Sequence, residues 1–498
     1  MRSKESKLKR AQKIATDKET YMGYLERLDS YKEDMLRTLG ETVSKPSVKA
    51  DPVRTADGKV WPFGQGVQEA LECMLQIGEA EGFSTCNDDN YAGHIEWKAN
   101  EGSDGYFGIV GHLDVVPVGT GWSTDPFTMV DKGDGFVYGR GTSDDKGPVV
   151  ACLYAMKALR EEGYEPKMDI RLVLGLDEET GHISAEHYVE SFGHPAMGFT
   201  PDADFPLVNG EMGILVFELA RKFTSKPGKD DTRLTKLEGG VAHNAVPAYA
   251  KAVITGSKEH YEVIIDRARL FTEETGYRLK AKKQGTSLVI EAFGTAAHGA
   301  HPELGLNAVS ILMDFLGRIS FTSEETNDFI AFYNDNIGFD LHGERMGCFF
   351  EDEASGPLIF NVGVANINED IATVSVNIRY PVSCTDAQVL GGIESVLEGT
   401  PVGIVTRMVQ EPIYRDLDDP MVKDMMQAYV DETGDTEAEP MTIGGGTYAK
   451  MFNNILAFGA AFPEDENTMH QADEKFSVDS FMKMARVYAR AIESLCCE

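Results

Sequence analysis

The sequence predicts an α/β protein: a mainly parallel sheet flanked by helices, interrupted by an inserted α+β domain. Three observations predict it. Two apolar, β-rich runs, YFGIVGHLDVVP (106–117) and DIRLVLG (169–175), bracket a helix-like KGPVVACLYAMKALREEG (146–163), and strand, helix, strand in that order is a parallel βαβ unit. The middle of the chain, about 213–412, changes to alternating strands and acidic loops, and helix and strand resume after it. A chain of 498 residues also exceeds what one ordinary core supports. The expected division is 1–212 and 413–498 for the parallel-sheet domain and 213–412 for the insertion.

Residues 18–40 carry acids, bases and apolar side chains at helical spacing, which predicts an amphipathic surface helix, with a basic stretch before it. VSKPSVKADP (43–52) is a loop, and GQGVQEALECMLQIGEAEGF (64–83) a helix ending at Gly82. The first β-rich run stops at Pro117. In the helix after it, apolar residues at 149, 150, 153, 156 and 159 mark the core-facing side. The Val and Leu content of 169–175 suits burial on both faces of a sheet. Within the insertion, GILVFELARKF (213–223), SLVIEAFGTAAH (287–298) and TVSVNIRYP (373–381) are strands, 305–319 a helix and FFEDEASG (349–356) an acidic loop. MVKDMMQAYVDETG (421–434) and NILAFGAAFP (454–463) return to helix and strand.

Lys plus Arg number 47 against 81 Asp plus Glu, a formal net charge of -34. That balance argues against nucleic acid or an anionic membrane as a partner. No stretch is apolar enough to span a bilayer, and the basic N-terminus has no apolar core, so it is not read as a secretory signal. The 7 cysteines form no C-x-x-C pair or ladder of spacings, which predicts reduced thiols and a cytoplasmic protein.

Several short stretches offer chemistry, each with an ordinary alternative. In GHLDVVP, His112 and Asp114 are i and i+2 on a strand and project to one face; a core histidine does the same. GRGTSDDKGP (139–148) sets glycines and aspartates just before a helix, either as a cap or to present a carboxylate. GLDEETG (175–181) places Asp177, Glu178 and Glu179 side by side, a repulsive arrangement unless cations or protons neutralise it. PDADFP (201–206) offers Asp202 and Asp204, and FPEDENTMHQADEKF (462–476) sets His470 among acids; a turn and an exposed loop explain them equally. IGGGTYAKMF (443–452) is a glycine-rich helix opening whose N–H groups suit an anion, or a flexible turn. TAAHGAHPELGLNA (295–308) adds His298 and His301, and SVNIRYP adds Arg379.

In that order, GHLDVVP, GRGTSDDKG, DEE, PD, GGGT and the MHQADE histidine resemble the co-catalytic zinc aminohydrolase family. Its members include carnosinases, aminoacylases, succinyl-diaminopimelate desuccinylases and glutamate carboxypeptidases. The chain is most similar to the PepV-type bacterial dipeptidases, from about residue 30 to the end. The resemblance implies a catalytic domain with an inserted lid and two divalent metal ions, zinc with manganese or cobalt as alternatives. It implies His112 and Asp202 on one ion, Glu179 and His470 on the other, and Asp144, not Asp145, between them. It also implies a cis peptide after Asp144, Glu178 as general base, Asp114 as the partner of His112, and His298 as oxyanion donor. Asn244, Arg379, Gly445, Gly446 and Thr447 match substrate-binding positions, and His301 matches none.

What the resemblance implies for function is a dipeptidase acting on Xaa-His or a broad range of short peptides. Two alternatives stand beside it: an N-acyl-amino-acid deacylase or desuccinylase, and a non-catalytic binding protein on this fold. The long insertion favours a monomer over a dimer.

Overall fold

In this computed structural model the described residues are 23–497 except 101, 103, 226, 227, 229 and 230. They form two compact units. The first runs to Asn209 and resumes over Arg415–Met441 and from Thr447 on; the second comprises Gly210–Tyr414 and Thr442–Gly446. The second differs from the expected 213–412 by two or three residues at each end, and it takes in Thr442–Gly446, which was expected in the last segment. Met212 N–H donates to the Ile443 carbonyl at 2.9 Å, and a Cβ on Gly444 would stand 3.2 Å from that of Ala300, so the glycine-rich segment packs with the insertion.

The first unit is built on strands ordered Ile455–Ala457, Met197–Thr200, Tyr106–His112, Asp169–Gly175, Ala92–Trp97 and Ser84–Asp88. The first four are parallel and the last two antiparallel. Every residue of Tyr106–His112 and Ala92–Trp97 is buried, as in a sheet covered on both faces. Lys146–Glu161 is the crossover helix between the two central parallel strands. Its expected core positions, Val149, Val150, Leu153, Met156 and Leu159, are all buried, and it packs along Val478–Cys496. Gly111 is required here: a Cβ would meet Val149 Cγ2 at 2.5 Å and Asp145 Oδ2 at 2.6 Å. A smaller sheet pairs Lys475–Ser477 with Phe136–Tyr138, setting Tyr138 opposite Lys475. That pairing draws the loops 139–145 and 470–474 alongside each other.

The second unit is an eight-stranded antiparallel sheet, ordered from Arg278–Gln284 through Ser287–Phe293, Tyr249–Thr255, Arg233–Gly239, Ile359–Asn368, Ile371–Tyr380 and Gly213–Lys222 to Gly403–Gln410. Its core comes from alternate strand residues such as Leu215, Leu237, Ile290 and Val376, covered by Lys258–Thr275, Ala308–Leu316, Glu324–Asn336 and Asp386–Leu397.

Some expected elements change form. The described part of the first helix is two helices, Tyr24–Ser30 and Lys32–Val43, and residues 18–22 with the basic stretch lie outside the described residues. The helix expected at 305–319 is Ala308–Leu316, because Asn307 accepts from the N–H groups of Val309 and Ser310 and caps it. Leu306 instead exchanges backbone hydrogen bonds with Thr295. The acidic FFEDEASG loop contains two short antiparallel strands, Glu351–Asp352 and Gly356–Pro357. No helix among the described residues is long and apolar enough to cross a membrane.

Candidate metal centre

The three parallel strands Tyr106–His112, Asp169–Gly175 and Met197–Thr200 end together, and each runs into a loop that carries acids. The C-terminal edge of a parallel sheet is where such folds place their sites. His112 is the last residue of its strand and fully buried. Its Nδ1 lies 2.9 Å from the Asp114 carbonyl oxygen, so Nδ1–H is the donor and Nε2 faces the acids. Nε2 meets Asp144 Oδ1 at 3.0 Å and Asp202 Oδ2 at 3.7 Å.

Asp144 divides its two oxygens between two imidazoles. Its Oδ1 faces His112, and its Oδ2 lies 2.9 Å from His470 Nε2. The same His470 nitrogen is 3.1 Å from Glu179 Oε1. The Asp144–Asp145 peptide is cis, and Asp145 turns the other way, accepting from the His112 N–H at 3.0 Å. Asp114 lies beside His112 as expected and has a second duty. Its carboxylate stands 3.4 Å from His112 Nδ1, and its oxygens also accept from the N–H groups of Glu178 and Glu179 at 3.1 and 3.2 Å. It therefore pins the DEE turn beside the histidine. Asp177 accepts from Ser184 N–H at 3.0 Å and serves the turn.

Among the described residues, two sets present donor atoms within 4.8 Å of one another: His112, Glu178 and Asp202, and His112, Asp144 and Glu179. Glu178 thus stands as near His112 and Asp202 as a ligand would. Protonation follows from this crowding. Burial alone would discharge His112, yet Asp114, Asp144 and Asp202 hold its pKa well above the usual histidine range. The Asp144 and Glu179 carboxylates lift His470 to about 10. Burial pushes Asp202 up to about 7, and burial with Asp202 raises Glu178 well above the carboxylate range.

This donor set fits divalent cations. Two imidazole nitrogens point their Nε2 atoms at carboxylate oxygens, and four carboxylates converge with little to neutralise them. Nitrogen facing oxygen at hydrogen-bond distance requires a proton or a metal between them, and clustered buried carboxylates require positive charge.

Asn244, His298 and Arg379 belong to the inserted unit, where a second cluster forms. Arg379 Nε donates to Asn377 Oδ1 at 3.0 Å, and the Asn377 amide nitrogen lies 3.2 Å from His243 Nδ1. Asn361 donates to the carbonyls of His243 and Ala245 at 3.2 and 3.1 Å and so holds the loop bearing Asn244. Asn244 takes Gly299 N–H at 2.7 Å, beside His298, whose Nδ1 accepts from Ala300 N–H at 3.3 Å. An accepting Nδ1 leaves Nε2–H as the donor face of His298. Burial drops Arg379 to about 10, and burial, then Arg379, lowers both His243 and His298. Gly445 and Gly446 group with this unit, and Thr447 with the first. Thr447 caps Tyr448–Lys450, its hydroxyl accepting from Ala449 N–H at 3.1 Å. His301 is exposed beside Glu303 at 3.2 Å.

Three residues with evident positional roles carried no assignment from the sequence: His243, Asn377 and Glu474. His243 adjoins Asn244 and Glu474 ends the MHQADE stretch, so position in a motif was the available signal; Asn377 had none beyond sharing a strand with Arg379.

Known proteins bear on this arrangement. Residues 108–494 match the model of peptidase family M20/M25/M40. A Staphylococcus epidermidis protein named "Putative dipeptidase" is 36% identical over 476 residues, covering 95% of this chain and 99% of that one. The Bacillus subtilis "Putative dipeptidase YtjP" is 34% identical over 465 residues, covering 93% and 97%. Among solved structures, the aminoacylhistidine dipeptidase of Vibrio alginolyticus superposes with a TM-score of 0.54 at 16% identity, covering 92% and 96%, a likeness of fold. With the match spanning the strand-end acids as well as the insertion, the chain belongs to peptidase family M20/M25/M40, a metal-dependent family.

Proposed function

We propose that this chain is a metal-dependent dipeptidase that hydrolyses the peptide bond of free-amine dipeptides, Xaa-His or broader. The observation that carries the reading is Asp144, whose two oxygens face His112 and His470 at 3.0 and 2.9 Å. Its support is the named relatives. His112, Asp202 and Asp144 would hold one divalent ion, and Asp144, Glu179 and His470 a second. Such ions, zinc or alternatively manganese or cobalt, polarise a carbonyl and make water acidic near neutral pH.

Glu178 takes a proton from the attacking water and returns it to the leaving nitrogen. Asp114 holds Glu178 and Glu179 in place through their N–H groups. His298 donates Nε2–H to the oxyanion as it forms. Arg379 receives the substrate carboxylate, and Asn244, Gly445, Gly446 and Thr447 complete the substrate contacts. The inserted unit supplies oxyanion and carboxylate recognition, in the manner of a lid. We further read the enzyme as a monomer of the cytoplasm; the 7 cysteines are all free.

The test is a panel of Ala-His, β-Ala-His, Leu-Gly, N-acetyl-Met and N-succinyl-diaminopimelate, with and without a chelator. Cleavage of the free-amine dipeptides alone, abolished by chelation and restored by metal, is the expected result. Cleavage confined to the acylated compounds overturns it.

A further inference from the structure

Glu474 is wholly buried, four residues past His470. Its Oε1 accepts from Gly141 N–H at 3.1 Å, Ser143 N–H at 3.0 Å and the Ser143 hydroxyl at 3.0 Å. Its Oε2 accepts from Arg140 Nη1 at 2.7 Å and shares the Gly141 N–H at 3.1 Å. Its backbone carbonyl takes Gly139 N–H at 3.0 Å. One carboxylate therefore gathers the donors of the whole turn that ends in Asp144.

Both loops need such a tie. Gly141 sits at φ +86°, and the N–H groups of Gly141 and Ser143 find their acceptor in Glu474. On the other loop His470 and Asp473 lie at φ +62° and +57°, a conformation that L side chains enter only when surroundings impose it. The His470 side chain itself is 54% exposed, so packing does little to aim it. Arg140 is buried with Trp122 at 5.2 Å from its guanidinium carbon, and it forms a fully buried ion pair with Glu474. Removing one member of such a pair strands the other.

We propose that Glu474 is the positioning residue of the metal centre: it locks the Asp144 turn to the His470 loop and so sets the separation of the two ligands. It touches neither substrate nor metal. The proposal rests on the two-metal reading above. Partners that orient metal ligands are worth about 10- to 100-fold in metal affinity, and the His470 site is the one exposed to that loss.

The experiment measures zinc stoichiometry and affinity by competition with a chromophoric chelator, on the full chain, for the wild type, Glu474→Gln, Glu474→Asp and, as a control at an exposed acid, Glu466→Ala. Far-UV circular dichroism and melting run alongside. Glu474→Gln keeps the shape but loses the charge and turns an N–H₂ toward donors. The expected result is two zinc ions in the wild type and about 10- to 100-fold weaker binding of one of them in Glu474→Gln. The Asp variant should lie between, Glu466→Ala should match the wild type, and excess zinc should restore turnover to Glu474→Gln. A Glu474→Gln chain that binds both ions at wild-type affinity, whether or not it melts earlier, overturns the proposal and leaves the two-metal reading intact. A wild-type chain that takes up no zinc, manganese or cobalt overturns that reading, and the positioning role with it.

Discussion

The two units solve opposite electrostatic problems. In the first, Asp144, Glu178, Glu179 and Asp202 converge on two imidazoles: burial raises Glu178 and Asp202, while His112 and His470, against burial, hold Asp144 below the usual carboxylate range. In the inserted unit, His243, Asn377 and Arg379 are joined by ordinary hydrogen bonds, and the displaced groups are bases pushed toward neutrality by burial. The contrast teaches where external charge is needed. On the proposed reading the first cluster takes cations to balance its acids, and Arg379 in the second receives an anionic group. On that reading, metal-dependent chemistry and substrate recognition are coded in separate parts of the chain.

The largest break in that contrast comes from Glu178. Glu178→Ala should lower kcat by about 100- to 10,000-fold while the metal count stays at the wild-type value. A variant that loses metal instead would make Glu178 a ligand, a role its place beside His112 and Asp202 also permits. Next is His298→Ala, expected to cost about 100- to 1,000-fold in kcat with no change in metal affinity, since that histidine belongs to the other cluster. Arg379→Ala should act on KM. Losing charge-assisted bonds of about 1.5–3 kcal/mol raises KM by roughly 10- to 150-fold, and dipeptides amidated at the C-terminus should be nearly indifferent to the change.

Much of the first cluster was legible because its residues sit within short, ordered motifs. His112, Glu179 and Asp202 lie at or just past strand ends, Asp144 just before a helix and His470 in an acidic loop before a strand. The supports were less legible. Glu474 bonds to residues 331 to 334 positions away, and nothing in MHQADE says that its last acid faces inward. Asn377 links Arg379 to His243 only because antiparallel pairing brings 361, 377 and the 243 loop together. Thr447 matches a substrate-binding position in the resemblance, and nothing in its motif said that its hydroxyl also caps a single 3₁₀ turn. The start of the 308 helix was misplaced because Asn307 caps it from within an otherwise helical pattern.

The smallest expected effect concerns stability and sharpens the comparison from the first unit's side. His94 lies in the strand Ala92–Trp97, with Tyr188 Oη 3.0 Å from its Nδ1 and Glu96 and Arg171 nearby. Burial, aided by Arg171, lowers it from 6.5 to about 4. The unfolded chain therefore binds the extra proton between those values, so stability is full above 6.5 and falls as the pH drops toward 4. The loss is about 2 kcal/mol at pH 5. Urea unfolding of the chain and of His94→Gln at pH 7 and pH 5 should show a smaller pH-dependent loss in the variant.

The central claim is that Asp144 is shared between two bound cations, and a metal count tests it most directly. Wild-type protein and Asp144→Asn are dialysed against zinc, then against buffer, and their metal is measured by mass spectrometry. The account predicts two ions per chain in the wild type and less than one in Asp144→Asn, with the fold intact by circular dichroism. Two ions retained in Asp144→Asn, or none in the wild type, would contradict it.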